Sequence, residues 1–135
     1  MTSNISKMFG TDKNIEKNGI TIDYGDFQIT IARAGGSNQA HDRMLEKLTK
    51  PYRRAIQNET IDHNLSIDLM MQVYAKTVVL GWKNVTDEKG NDIPFSSEAC
   101  LQMFRDNRDF FFDVQSQATK MALFKKDIQE FEAGN

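Results

Sequence analysis

The chain is most constrained in one stretch, Trp82-Lys83-Asn84-Val85-Thr86-Asp87-Glu88-Lys89-Gly90-Asn91-Asp92-Ile93-Pro94-Phe95-Ser96. It takes the only tryptophan off the end of an apolar segment, through an Asp/Gly turn, and on to a serine that can begin a helix. Nothing in it matches a catalytic motif. The stretch predicts a structural role, in which it fixes how two helices meet, and it points to a protein that works through its surfaces.

The segments on either side of this stretch predict two helices. Before it, residues 65–80 carry apolar side chains on most sides of a helix, which predicts a largely buried, central helix that Gly81 ends. After it, Ser96 or Ser97 caps a helix that runs to about Arg105. The turn between them, residues 87–90, can join two very short strands.

Further towards the N-terminus the pattern changes to strict alternation. Residues 20–24 and 27–33 alternate apolar and polar around Gly25-Asp26, which predicts a β-hairpin with a tight turn. A lone hairpin is marginal in water, so its apolar face must pack on helices. Residues 39–48 predict one such helix, and Pro51 begins another at its permitted first-turn position.

These elements fit one domain, as the length of 135 residues also suggests. The predicted fold class is α+β, predominantly α-helical, with an N-terminal β-hairpin packed on a bundle of about four to five helices. Residues 1–18 are polar and predict a flexible lead-in, residues 19–131 form the single domain, and residues 132–135 predict a frayed C-terminus.

Composition narrows the class of protein. The formal net charge of −2 lacks the basic excess of a typical nucleic-acid binder, which argues against nucleic acid as a partner. The single cysteine, Cys100, excludes an internal disulfide and fits a reducing compartment. No apolar run approaches the roughly 18 residues that span a bilayer, so no membrane partner is expected. The chain is predicted to be cytosolic.

The candidate phosphate-binding, metal-binding and catalytic motifs lack the residues or the spacing that their chemistry requires. Residues 35–37, Gly-Gly-Ser before a helix, lack the Gly-Lys-Ser/Thr of a phosphate loop, so a plain strand-to-helix turn is favoured. Residues 87–92 depart from a calcium loop at the third and sixth positions. His63 lacks further ligands for a metal, and Cys100 has no histidine partner. We therefore expect no catalytic residue, no metal, no cofactor and no enzyme activity.

Basic residues recur at helical intervals on both sides of Pro51. One interpretation is a solvated face partly neutralised by Glu46, and the other is a docking patch for an acidic partner or nucleic acid. The sequence also leaves open whether Tyr52 is a surface anchor or a packing residue. The candidate partner-binding residues here are Arg43, Lys47, Lys50, Tyr52, Arg53 and Arg54.

A final helix is predicted from about residue 110 to residue 131, and it begins with three consecutive phenylalanines. At 100° per residue the three rings cannot all face one core unless the helix is broadly buried. One of them is therefore expected to contribute to an interface with a second copy or a partner. Phe110 and Phe112 complete the candidate partner-binding residues.

Four ordered segments resemble those of bacteriophage tail assembly chaperones: residues 20–33 with the Tyr-Gly-Asp-Phe turn, 51–56, 78–82 and 85–96. The resemblance covers roughly residues 15–130. It implies a non-enzymatic protein that binds the phage tape measure protein, keeps it soluble and helps tail tube subunits gather round it. It also implies action in the bacterial host cytoplasm, absence from the mature virion, and in many phages a frameshift-extended form of the same protein.

Two other classes stay open. A structural virion component, such as a small head–tail or tail protein, would use the same core and remain in purified particles. A nucleic-acid-binding regulator would use the stripe from Arg43 to Arg54 and bind with a steep salt dependence. The partners expected for a tail assembly chaperone are the tape measure protein, the tail tube protein, the extended form and further copies of the chain itself.

Overall fold

The computed structural model describes residues 4–120 and Phe124, and within them the fold is α+β with helices predominating. In chain order the helices are α1 Asn4–Phe9, α2 Lys13–Asn18, α3 Gln39–Thr49, α4 Arg53–Gln57, α5 His63–Thr77, α6 Ser97–Asp106 and α7 Arg108–Thr119. The strands are β1 Ile20–Asp23, β2 Gln28–Ile31 and β3 Val79–Lys83. A single 3-10 turn, Lys50–Tyr52, lies between α3 and α4.

The predicted hairpin is confirmed. Strands β1 and β2 pair antiparallel, with Ile20 opposite Ile31 and Ile22 opposite Ile29. Gly25 takes a positive φ of 95° in the connection, the conformation that favours glycine. The β2 isoleucines are fully buried, so the apolar face of the hairpin packs against the helices as the alternation requires.

The sheet has a third strand, whose first two residues, Val79 and Leu80, are predicted from sequence to end a helix. Helix α5 ends at Thr77 rather than at residue 80, and β3 pairs antiparallel with β2 to give the order β1-β2-β3. The β-branched Val78 and Val79 favour the extended conformation, and pairing satisfies the hydrogen-bonding groups of β2 on that side. The register shifts at this point, and Leu80 lies in the resulting bulge with 42% of its surface exposed.

Helix α5 is the central helix, as its broad apolar surface predicts. Its buried residues include Leu69, Met71, Val73 and Tyr74, and both α3 and α6 pack on it. The side chain of Asp62 caps it by accepting a hydrogen bond from the Leu65 backbone N–H at 3.0 Å. The core therefore lies between α5, the apolar face of the sheet, α6 and α7.

The two C-terminal helices follow the prediction at their beginnings. Ser96 caps α6, with its Oγ accepting from the Ala99 N–H at 3.0 Å. Helix α7 begins at Arg108 but ends at Thr119, because Lys120 is extended with ψ of 107°. A helix continuous from residue 110 to 131 is therefore wrong at Lys120. The later residues of that predicted helix, apart from Phe124, lie outside the described residues. So do residues 132–135, which are predicted to be frayed.

The N-terminal segment differs from the flexible lead-in that its polar composition suggests. Residues 4–18 contain α1 and α2, and Glu16 on α2 is only 2% exposed. Its carboxylate accepts hydrogen bonds from Arg33 Nη1 at 2.9 Å, from the Ser37 backbone N–H at 3.1 Å, and from the Thr11 hydroxyl. Burial acts to raise the pKa of Glu16, but these donors outweigh it and lower the pKa below its ordinary value.

The Gly-Gly-Ser turn at residues 35–37 thus holds an anion, and that anion belongs to the chain itself. A Cβ added at Gly36 would lie 1.8 Å from the Glu16 Oε2 atom, so only glycine permits this approach. The structure confirms the turn between β2 and α3.

Candidate functional site

An open trough lies between α6 and the loop that follows β3. It consists of two adjoining cavities with volumes of about 710 Å³ and about 390 Å³, and Thr86 and Met103 line both of them. The apolar residues of its lining, all half-buried, are Phe27, Trp82, Val85, Ile93, Ala99, Met103 and Phe110. We call this surface the trough.

The 82–96 stretch builds one wall of the trough. The Trp82 indole N–H donates to the backbone carbonyl of Ile93 at 2.8 Å, which ties the returning loop to the end of β3. The Trp82 ring also meets Phe95 edge to face, with centroids 5.1 Å apart. Asn84, directly after the strand, has a positive φ of 62° that turns the chain. These contacts fix the path of the chain from β3 to α6, and the role predicted for this stretch in setting how two helices meet stays a prediction.

The outer end of the same loop is the predicted turn. Thr86 and Asp92 form an isolated β-bridge, and Gly90 has a positive φ of 85°. The Asp87 carboxylate accepts from the backbone N–H groups of Asn91 and Lys89, both at 2.9 Å. These hydrogen bonds, that of Asn91 first, lower the pKa of Asp87, so the carboxylate is ionised at neutral pH.

Aromatic rings close the other end of the trough. The Phe110 ring lies 5.4 Å from Phe104 and 6.2 Å from Phe27 between centroids, so it is held in place by the core and the hairpin. The Tyr24 hydroxyl donates to Asp113 Oδ2 at 2.7 Å, which fixes the hairpin turn against α7. Burial and this carboxylate raise the pKa of Tyr24 well above its ordinary value.

The three consecutive phenylalanines lie in three different environments, as the helical period requires. Phe111 is 1% exposed in the core, Phe110 lines the trough, and Phe112 is 41% exposed on the outside of α7. Phe110 and Phe112 were both candidate partner-binding residues, but they lie on different surfaces. Only Phe110 belongs to the trough.

The rim of the trough is acidic. Four exposed carboxylates line it against a single ammonium group, that of Lys89. No ion pair joins any of these carboxylates to a cation within residues 4–120. Asp106 accepts a hydrogen bond from Gln102 Nε2 at 2.9 Å, which holds its carboxylate at the edge. The four rim carboxylates are those of Asp26, Asp87, Glu88 and Asp106.

The basic candidate residues form a separate surface. Helix α3, the 3-10 turn at Pro51 and α4 follow one another directly, so the chain stays helical across the proline. Tyr52 is half-buried, and the basic side chains are exposed without an ion-pair partner in the part of the chain that the structure describes. We call Arg43, Lys47, Lys50, Arg53 and Arg54 the basic face. It contributes no residue to the trough.

Sequence reasoning missed the trough because its walls come from distant segments. The pattern of residues 87–92 favours a turn over a calcium loop, and Met103 is interpreted from sequence as adaptable surface if exposed or core filler if buried. A signal was present: residues 82–96 combine apolar side chains with acidic ones in a loop that must return to a helix. Within the described residues no cluster of three or more metal-ligating side chains occurs, and no helix is both long and apolar enough to cross a membrane.

The fold and the trough define a small α+β protein with an open, apolar, acid-rimmed groove on its surface. Residues 36–135 match the family model described as YdaY prophage protein. Because the match covers most of the chain, the chain belongs to this family and is a phage-derived protein. A search of the curated proteins and a search of the solved structures found no match.

Proposed function

We propose that this prophage protein is a non-enzymatic tail assembly chaperone that binds the tape measure protein, keeps it soluble and promotes assembly of the tail tube around it. Membership of a prophage family supports a phage role. The four segments that resemble tail assembly chaperones support the particular role. The observation that carries the proposal is the trough, an open groove with half-buried apolar side chains and a charged rim.

The physical fit is between a groove and a helix. A tape measure protein presents a long helix with apolar stripes, which aggregates unless those stripes are covered. Laying the apolar face of a helix into a hydrophobic groove is a general mode of recognition. Several copies of a small chaperone, each with one groove, can cover successive turns of one long client.

The chemistry of the reactive side chains is consistent with a non-enzymatic role. Cys100 is fully buried, and burial raises the pKa of its thiol to about 12, so it stays protonated at neutral pH. His41 is 8% exposed and pairs with the adjacent Asp42, and its ring meets Tyr74 edge to face. Both residues serve packing in this structure.

The proposal places the protein in the host cytoplasm during assembly and outside the finished particle. The tail tube protein and a frameshift-extended form of the chain are its further expected partners. The alternative is a structural virion component. Mass spectrometry of purified particles separates the two, because a structural component remains in the particle and a chaperone is absent from it.

Co-expression with the tape measure protein of the same prophage tests the proposal directly. We expect the tape measure protein to become soluble and to co-purify with the tagged chain. Met103→Asp, which puts a charge on the floor of the trough, is expected to abolish both effects. Arg43→Glu with Lys47→Glu, on the basic face, serves as the control that retains them. An insoluble tape measure protein with the wild-type chain would contradict the proposal.

A further inference from the structure

We infer that the trough selects an amphipathic helix whose apolar stripe is flanked by lysine or arginine. The inference deepens the proposed function and rests on it, because it states which helices of a client the groove accepts. It assigns the client-binding surface to the trough and removes the basic face from it.

The apolar part of the inference rests on the lining of the trough. Met103 lies where the two cavities join, and methionine adapts its shape to different apolar partners. Trp82 and Phe110 both line the smaller cavity and are held by their own contacts, so they can serve as rigid anchors. The larger cavity is open and has a volume of about 710 Å³, so it has room for successive side chains of one stripe.

The charged part rests on the rim. Four carboxylates against one ammonium group give the rim a negative potential, and cations on the incoming segment would neutralise it. The four carboxylates have no basic partner within residues 4–120, so an incoming cation displaces no internal ion pair. An acidic client would meet like charges on both sides of the groove.

Trp82 provides the readout, because it is the only tryptophan of the chain and it lines the trough. We would titrate the full chain with tryptophan-free helical peptides of about five turns. One peptide carries leucines at helical spacing flanked by lysines, and a second replaces every lysine by glutamate. A third keeps the composition of the first but scrambles its order, which removes the stripe.

We expect the lysine peptide to change Trp82 emission saturably and to bind at least about tenfold more tightly than the glutamate and scrambled peptides. Glu88→Gln with Asp106→Asn should weaken its binding several-fold. These substitutions leave the Asp87 turn intact. Glu46→Gln with Glu59→Gln removes two exposed carboxylates outside the trough and should leave binding unchanged.

Three results would overturn the inference. Equal binding of the glutamate peptide removes the selection by charge, and equal binding of the scrambled peptide removes the selection for a helical stripe. Self-association of the wild-type chain that Arg43→Glu with Lys47→Glu abolishes would make a second copy the occupant. The peptides are independent of the tape measure protein, so a failed co-expression with successful peptide selection would refute the proposed function alone.

Discussion

Glu16 gathers hydrogen-bond donors from three parts of the chain around one buried carboxylate. Its partner Arg33 is 24% exposed, so the pair lies at the edge of the core rather than at its centre. The carboxylate joins α2 to the end of β2 and to the turn before α3. Together with the Arg33 backbone N–H, which donates to the Glu16 backbone carbonyl at 2.9 Å, this carboxylate holds α2 to the rest of the domain.

We expect Glu16→Gln to lower the free energy of unfolding by about 1–3 kcal/mol at neutral pH. Because the folded pKa of Glu16 is lowered, its contribution is present above the ordinary value of 4.5 and is lost as the pH falls through the folded pKa. The variant should therefore lose less stability than the wild type on acidification. Urea unfolding at about pH 7 and about pH 4 measures this.

The control is Asp68→Asn, which breaks the ion pair with Arg105 on the surface. Both side chains of that pair are about a third or more exposed, so the loss should stay below about 1 kcal/mol. If the two variants lose equal free energy of unfolding, the buried Glu16 carboxylate stabilises the fold no more than the exposed ion pair does.

The adjacent phenylalanines of α7 give a matched pair of substitutions. Phe111→Ala empties a site that is 1% exposed and should cost about 3–5 kcal/mol of unfolding free energy. Phe112→Ala removes a ring that is 41% exposed and should cost less than about 1 kcal/mol. Urea unfolding followed by circular dichroism measures both. Similar losses would mean that the two rings are not divided between core and surface.

At the scale of elements, α6 depends on a single cap. Ser96→Ala removes the Oγ that accepts from the Ala99 N–H, and it should lower the free energy of unfolding by about 1 kcal/mol. Ser97 is the first residue of the helix, and Ser97→Ala should change stability by less than about 0.5 kcal/mol. Chemical denaturation distinguishes the two serines, which the sequence alone leaves as alternatives.

The elements also show what sequence patterns can predict. The hairpin follows from alternation around Gly25-Asp26, and α5 from apolar residues on most of its sides, because both signals are local. Strand β3 was missed because residues 78–82 continue the apolar run of α5. Only the hydrogen-bonding needs of β2, some 50 residues earlier in the chain, decide that they become a strand.

The whole molecule determines the candidate site. The trough exists because the hairpin turn, the loop after β3 and two helices meet, and residues 82–96 supply only one part of its lining. The sequence did point to Phe110 and to the importance of residues 82–96. It could not separate the trough from the basic face, because relative position depends on how α3 and α6 each pack on α5.

Salt should affect binding and folding differently. The rim carboxylates are exposed, so raising the salt from about 50 to about 500 mM should weaken binding of the lysine peptide several-fold. The Glu16–Arg33 pair is better shielded from solvent, so the urea midpoint should change little. Parallel titrations of Trp82 fluorescence and of unfolding test this. If peptide binding and the urea midpoint were equally sensitive to salt, the rim carboxylates would not be more exposed to solvent than the Glu16–Arg33 pair.

The bulge at Leu80 has a consequence for how copies of the chain behave when they are concentrated. Strand β3 is at one edge of the sheet, where a straight strand would offer a row of free backbone groups to the same strand of another copy. The irregular register interrupts that row, and a lysine ends the strand. We therefore expect this edge to pair with the sheet of another copy less readily than a straight strand would.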